Sequence, residues 1–572
     1  MRTIAGYFRR YKVQCFLSPL FKLSEVIFEL TVPMVIAGII DRGIIGGEPG
    51  YIKRSFFILL LFAVIGFGSA FLAQYFASYS AAGIASDIRS DLFRKMLHLS
   101  VTNFEKTGSP KIVTGLTSDI NQIQSGINLT LRLVLRSPMV VIGAIIMSFV
   151  IDPKMSLIII AAVLFLSLFI AFNMSRAIPA YKTTRNGLDD LAGLTGNGLE
   201  GTKVIRGFNR SEDDYESFKD RSLKLRKDQI YAAGISSFLN PVTFLIINLA
   251  ICFLIHKGAI RIDSGTLTQG EMIALYNYMS QILVELIKLA NLIVTVSRAA
   301  SCADRVEQML TVIDKAAEES ETIEDPHDAH TLEFKNVTFR FEGNSEDTLE
   351  NVSFKVEKGQ TVGIIGMTGS GKSTVALLAS GIYPDYEGEI LIDGKKIENI
   401  GRRSLTEAVG ICLQRAKIFT GTIKYNITLD RENISEEDVE DAVKASCLGD
   451  VLSSKKDGAF TYLTSNGAGL SGGQKQRIGI ARTLAGKPGL IILDDSTSAL
   501  DGATENRFIR NILTYKGDPT TVIVSQKIRS VMRADKILLM EDGRVSHFAP
   551  HKELLEKSEN YRRLYELQKE GA

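Results

Sequence analysis

The run Gly366-Met367-Thr368-Gly369-Ser370-Gly371-Lys372-Ser373-Thr374 has the residue types and spacing to hold a polyphosphate. It follows the pattern G-x-x-x-x-G-K-[ST]. The glycines let the backbone curl until successive N–H groups point at phosphate oxygens, Lys372 brings a point charge to the terminal phosphates, and the Ser373 hydroxyl is a ligand for Mg2+. That chemistry needs a strand feeding the loop and a helix leaving it, because the helix start adds a positive end to the anion site. Both are predicted: the apolar run 361–365 reads as a buried strand and 373–380 as a helix. The bland alternative is a glycine-rich turn that ends in Lys-Ser by chance, and what lies downstream argues against it.

The elements that must position this loop belong to a long chain. At 572 residues it exceeds one domain by the usual figure of roughly 100–200 residues each. Hydrophobic residues make up 45% of it and crowd the first half, and the mean hydropathy of +0.12 is high for a soluble protein. The net charge of +2 creates no field that would draw nucleic acid. Cys15, Cys252, Cys302, Cys412 and Cys447 lie far apart with no C-x-x-C, so they read as packing thiols rather than a disulfide or zinc framework.

Six apolar segments are long enough to cross about 30 Å of hydrocarbon, at about 16–40, 55–79, 130–150, 155–174, 235–255 and 272–296. The basic N-terminus (Arg2, Arg9, Arg10, Lys12) resembles a signal peptide for its first residues. Lys22, Glu25 and Glu29 then interrupt the apolar core and no small-residue cleavage site follows, so the first segment reads as a retained membrane helix. Short loops alternate with two long polar ones, 80–129 and 175–234. The second of these carries Arg185, Lys203, Arg206, Arg210, Lys219, Arg221, Lys224, Arg226 and Lys227, which predicts a cytoplasmic N-terminus and cytoplasmic long loops. Helical spacing within the long loops predicts that the membrane helices continue into the cytoplasm, with turn-like breaks at 103–110 and 201–211 that expose short tips.

Lys22, Glu25 and Glu29 share one helix face. Intramembrane charge is costly unless paired or hydrated, so that face must point into the bundle. It is either a substrate path in which Glu25 and Glu29 attract cations, or a structural network in which Lys22 neutralises Glu25 and a neighbouring helix holds Glu29. Glu285 and Lys288 in the sixth segment pose the same choice, and Tyr276, Asn277, Tyr278, Met279 and Gln281 either line a permissive cavity or pack. The expected organisation is a transmembrane domain over 1–314, an acidic linker over 315–330, and an α/β domain over 331–572 in which strands and helices alternate.

Downstream of the phosphate loop come Gln414, then Leu470-Ser471-Gly472-Gly473-Gln474, then the apolar strand Leu490-Ile491-Ile492-Leu493-Asp494, Asp495, and Ser498-Ala499-Leu500-Asp501. This order resembles the ATPase domain of ABC transporters: Walker A, Q-loop, signature, Walker B and D-loop. With six helices ahead of it, nearly the whole chain resembles an ABC exporter half-transporter, and LSGGQ in that setting is highly specific. The resemblance implies an α-helical transmembrane domain followed by an α/β P-loop nucleotide-binding domain with a helical subdomain. ATP and Mg2+ are the implied cofactors, and the lipid bilayer, a small-molecule substrate and a second half-transporter the implied partners. It implies a multi-pass cell-membrane protein with a cytoplasmic nucleotide-binding domain. By this resemblance Asp494 and Gln414 would join Ser373 around Mg2+, and Phe341 stands where the family stacks an aromatic ring on adenine. The resemblance also implies that Leu470 to Gln474, with the D-loop Ser498 to Asp501 nearby, serve an ATP held by the opposite subunit.

Two departures matter. Hydrolytic members place Glu after Walker B, and this chain has Asp495. They carry His after the strand at 521–524, and this chain has Gln526, which cannot titrate. These atypical catalytic positions resemble the degenerate-site subunit of a heterodimeric multidrug exporter, whose partner chain supplies the competent site. The alternative is an ATP-gated channel or regulatory subunit that binds ATP and barely hydrolyses it. A soluble DNA-repair ATPase is incompatible with the spans, and an importer would keep its membrane and ATPase parts on separate chains.

Overall fold

Long unbroken apolar runs form long helices in the first half of the chain, and short β-branched runs between glycines form strands in the second. The computed structural model describes residues 2–312 and 321–570, so positions 315–320 of the expected linker lie outside the described residues. The chain divides into two units: residues 1–97 with 109–312, and residues 98–108 with 313–572.

The first unit is a helical bundle. Its main helices are α1 (Lys12–Gly38), α2 (Pro49–His98), α3 (Arg136–Ile151), α4 (Pro153–Glu200), α5 (Ser211–Ser237), α6 (Leu239–Asp263) and α7 (Gln269–Leu310). Val26, Leu30, Val140, Ala144, Met155, Ile159, Leu254, Leu275 and Tyr278 form its core. The Tyr278 hydroxyl donates to the Leu30 carbonyl at 2.6 Å and ties α7 to α1. The outside of α2 is apolar instead of polar, with Phe67 75% exposed beside exposed Phe56, Leu60, Leu61, Val64 and Phe71. Such a surface is stable against lipid, not water.

Among the described residues, five stretches are long and apolar enough to cross a membrane: Ile4–Ile45, Pro49–His98, Ser109–Ile151, Pro153–Glu200 and Ser211–Asp263. These contain the first five expected segments. The sixth, 272–296, lies within α7 and is not among the five; part of that stretch lies outside the residues whose side chains are described.

The two expected breaks fold as short helices with defined ends. At the first, Ser100 Oγ accepts from the Asn103 N–H at 3.4 Å, the helix Val101–Thr107 follows, and Gly108 (φ 80°) stops it. This segment belongs to the second unit, where Val101 packs against the core. At the other break the helix Thr202–Gly207 leaves Val204 and Phe208 exposed.

In the second unit the strands are β1 (Leu332–Phe339), β2 (Leu349–Val356), β3 (Thr361–Gly366), β4 (Glu387–Ile392), β5 (Lys395–Lys396), β6 (Val409–Cys412), β7 (Gly421–Thr422), β8 (Tyr462–Leu463), β9 (Leu490–Asp494), β10 (Thr520–Val524), β11 (Lys536–Glu541) and β12 (Arg544–Ala549). Among the described residues, four form an antiparallel sheet in the order β2-β1-β4-β5, and six form a second sheet in the order β12-β11-β3-β10-β9-β6. The second sheet is parallel apart from β12. β3, β9 and β10 are buried along their whole length, as strands covered on both faces must be. Val524 pairs with both Ile364 and Asp494, and Cys412 pairs with Leu493. This register brings the carboxyl ends of β3, β10, β9 and β6 to one edge, where open α/β sheets bind ligands.

Candidate functional site

The loop after β3 leads into helix α8 (Lys372–Ala379) through Gly369 (φ 87°) and Gly371 (φ 90°), left-handed positions that suit glycine. A Cβ on Gly371 would stand 2.5 Å from Leu349 Cδ2 and 3.0 Å from the Thr348 carbonyl. No side chain caps α8, so its first N–H groups are left for an anion. Lys372 is 7% exposed, and its ammonium bends back over its own loop, donating to the carbonyls of Met367 (2.7 Å) and Gly366 (3.0 Å) and to Ser370 Oγ (3.4 Å). Burial lowers its pKa, and the charges of Asp495 and Asp494 oppose the shift. A buried cation resting on loop carbonyls beside uncapped amides fits a polyphosphate.

Ser373 Oγ donates to Asp494 Oδ1 at 2.8 Å, so the two expected Mg2+ ligands meet across α8 and β9. Among the described residues no group of three His, Cys, Asp or Glu could hold a metal alone. One carboxylate and one hydroxyl suit Mg2+, which keeps its waters and shares phosphate oxygens. Burial raises the Asp494 pKa, the Asp495 charge adds to this, and the Ser373 bond opposes it.

Gln414 follows β6 and faces Asp495, its Nε2 donating to Asp495 Oδ2 at 3.2 Å. Asp495 sits in the left-handed region (φ 44°), which short Asp tolerates better than longer side chains do. Gln526 is exposed one residue beyond Ser525, whose N–H donates to the Ile364 carbonyl at 3.0 Å. The Gln526 carbonyl accepts from Gln568 Nε2 at 2.7 Å.

The signature begins helix α9 (Gly472–Leu484). Ser471 caps it, with Oγ accepting from the Gln474 N–H at 3.3 Å, and Gln474 Oε1 accepts in return from the Ser471 N–H at 3.0 Å. Leu470 is buried, while Ser471 and Gly472 are exposed at the positive end of the helix. Gly473 lets the Ala499 carbonyl approach, since a Cβ there would lie 2.7 Å from it. Ser498 Oγ donates to the Asp495 carbonyl at 2.8 Å, and Leu500 is buried. Asp501 caps helix α10 (Gly502–Leu513), accepting from Thr504 N (3.0 Å) and Ala503 N (3.1 Å), bonds that lower its pKa.

Phe341 packs edge-on against Phe339 (centroids 4.8 Å apart) and Tyr383 (5.5 Å). The Tyr383 hydroxyl donates to the Glu105 carboxylate at 3.2 Å, and Lys106 pairs with Glu342 at 2.8 Å. The first tip thus packs beside Phe341 through residues that motif reading does not single out. The five cysteines are free, and burial pushes the Cys412 thiol up to about 11, as suits a packing thiol.

In the membrane unit, Lys22 pairs with Glu25 at 2.5 Å, and Arg136 Nη2 reaches Glu29 at 2.6 Å. Arg136 also pairs with Glu285, which accepts from Ser137 Oγ at 2.7 Å and Lys288 at 3.0 Å. Sequence reading missed Arg136, although an Arg within an apolar segment is itself a signal that carboxylates must lie nearby.

Residues 15–286 match the ABC transporter transmembrane region, and residues 349–498 match the ABC transporter family. The chain is 33% identical over 568 residues to the uncharacterized ABC transporter ATP-binding protein YfiB of Bacillus subtilis (strain 168), covering 99% of this chain and 98% of that protein. It is 29% identical to YfiC of the same organism, another uncharacterized ABC transporter ATP-binding protein, over 99% of this chain and 94% of that one. The fold is that of a bacterial Atm1-family ABC exporter solved with ATP bound, with TM-score 0.79, 21% identity and 98% of each chain covered. With a transmembrane region and an ATPase domain on one polypeptide, and with a site that suits ATP and Mg2+, the chain belongs to the ABC transporter family as a membrane-spanning, ATP-driven transporter subunit.

Proposed function

We propose that the chain is one half of a heterodimeric exporter that moves a small amphipathic molecule (a drug, lipid or peptide) out of the cytoplasm by alternating access, and that its own ATP site is the slow one. The observation that carries this reading is Asp495. Its side chain is shorter than glutamate by one carbon–carbon bond, about 1.5 Å, and a misplacement near 1 Å can cost about 10²-fold in rate. Gln414 already engages the carboxylate, which leaves it poorly free to orient a water. Gln526 carries no charge and cannot titrate. The exposed, intact signature suits a second ATP site whose phosphate loop comes from a partner with Glu and His at these positions.

The loop cations support a cytoplasmic N-terminus and ATPase domain. In this reading α7 is the sixth span, with Glu285, only 4% exposed, turned into the bundle. The pairing of Glu25 with Lys22 and of Glu29 with Arg136 favours a structural network over a cation path.

The test ranks two variants of the transporter recovered with its partner from native membrane. Ser471→Arg would push a bulky cation into the partner's phosphate pocket, so steady-state ATPase and transport should collapse. Asp495→Asn should retain most of both. If Asp495→Asn abolishes ATPase as completely as Ser471→Arg, this site is catalytic and the asymmetric reading falls.

A further inference from the structure

Gln476 lies on α9 two residues beyond the signature, and no step described so far uses it. Its side chain is 3% exposed. Nε2 donates to the Gln414 carbonyl at 3.1 Å and to the Asp495 carbonyl at 3.2 Å, and Oε1 accepts from the Ala499 N–H at 3.2 Å. One amide thus spends both donors and its acceptor on the backbones of three loops: the Q-loop, the residue after Walker B, and the D-loop. Two of those loops surround the Mg2+ position of this chain's own site. The Asp495 backbone that it grips is left-handed, and the Asp495 side chain is held in turn by Gln414.

The other end of the same helix turn is the signature, which Ser471 and Gln474 clamp into a rigid start. A helix turn held at both ends cannot tilt without moving all its contacts, since its own backbone bonds are made. Any shift of Gln414 or Asp495 that accompanies filling of this chain's own site must therefore either break buried bonds to Gln476 or carry α9 with it. A buried amide that loses its partners is costly, so the helix follows.

We infer that Gln476 is a positioning residue through which occupancy of this chain's own ATP site sets the orientation of the signature that it presents to the second ATP site. The inference rests on the reading that the signature serves a second site. It also gives a role to a slow, ATP-retaining site, which would keep the signature in register while the other site turns over.

The test separates the two ideas by using Gly472→Glu as the background, which keeps the Ser471–Gln474 clamp and has room for a side chain, while its anion keeps the signature from closing on a partner's phosphate. Amide hydrogen exchange at residues 472–476 is measured on the full chain in its complex, with and without Mg-ATP. The expected result is a change in exchange of about fivefold on adding ATP, the equilibrium factor that one net hydrogen bond supplies. Lys372→Ala in the same background, which empties the chain's own site, should abolish the change. Gln476→Met, of similar length with no amide, should also abolish it, while exchange over residues 478–484 stays slow and shows that the helix is intact. If the Met variant fails to fold, Gln476→Asn keeps an amide one methylene too short to span the loops and should give the same loss. An ATP-dependent change that survives Gln476→Met or Gln476→Asn, or one absent from the Gly472→Glu background itself, overturns the inference. Failure of Ser471→Arg to lower ATPase would instead overturn the proposed two-site division and leave the exchange result to be judged by itself.

Discussion

Replacing Arg136 with methionine should cost the membrane unit about 3 kcal/mol of stability. The guanidinium side chain is 11% exposed, reaches Glu29 at 2.6 Å and Glu25 at 3.8 Å, and pairs with Glu285, whose side chain is 5% exposed. Removing one member of a buried ion pair costs about 3–5 kcal/mol, because the carboxylate left behind is neither hydrated nor neutralised. The low end applies here for two reasons. Glu285 keeps Ser137 Oγ at 2.7 Å and Lys288 at 3.0 Å, and the Glu29 side chain, 36% exposed, can take water in place of the lost partner. At about 2 °C per kcal/mol for a unit of this size, the thermal midpoint of the purified full-length chain in detergent should fall by about 6 °C. Arg136→Met combined with Glu285→Gln should recover most of that loss, since a neutral buried pair no longer needs compensation. A single variant within about 1 °C of the parent, or a double variant no better than the single, would refute the argument. The same pairing predicts that Glu25→Gln with Glu29→Gln lowers transport of cationic and neutral compounds alike. A loss confined to cations would restore the substrate-path reading.

Burial, reinforced by the Asp495 charge, holds the Asp494 carboxyl above its ordinary range. It therefore takes up a proton before an ordinary aspartate as pH falls, so Mg-dependent ATP binding should weaken early on the acid side. Asp495→Asn should move that limb to lower pH, and an unmoved profile would contradict the coupling. Because the folded-state pKa is raised, ionised Asp494 costs stability at neutral pH and the cost fades as pH falls through the folded pKa. Asp494→Asn should thus stabilise the nucleotide-free chain by about 1 kcal/mol while weakening Mg2+ dependence, as thermal unfolding without Mg-ATP would report. Gly371→Ala forces a left-handed alanine, at about 1–2 kcal/mol, and drives a methyl into Leu349 and the Thr348 carbonyl. Titration with a fluorescent ATP analogue should show an affinity loss of at least about tenfold, and wild-type affinity would show that the loop does not bind as described. Tyr383→Phe removes the bond to Glu105 but keeps the ring against Phe341, so ATP affinity should hold while transport per ATP hydrolysed falls. ATPase and transport falling in step would show that this bond does not couple the tip to the site.

The sequence alone singles out, as expectations, the parts whose chemistry would be carried by neighbouring residues. The run Gly366 to Thr374 and the signature Leu470 to Gln474 are legible because a phosphate cradle is built from consecutive N–H groups, and consecutive residues fold together wherever the loop sits. Asp495 and Gln526 were likewise readable as departures, since a missing methylene or a missing charge is a property of the residue itself. The membrane spans were legible from apolar length, and five of the six expected segments lie within the stretches long and apolar enough to cross a membrane among the described residues. The turns expected at 103–110 and 201–211 became short helices, because a capping serine and a stop glycine decide in the first what turn composition alone leaves open. Tertiary structure decided which distant groups meet. The parallel register of β6, β9, β10 and β3 sets Gln414 against Asp495 across 81 residues of chain. Helix packing sets Arg136 against Glu29 across 107 residues and against Glu285 across 149. Gln476 reads as one more polar position on a helix until the fold wraps three loops around its amide. Local periodicity reports which face of an element is apolar, and only the closed fold determines what stands opposite that face.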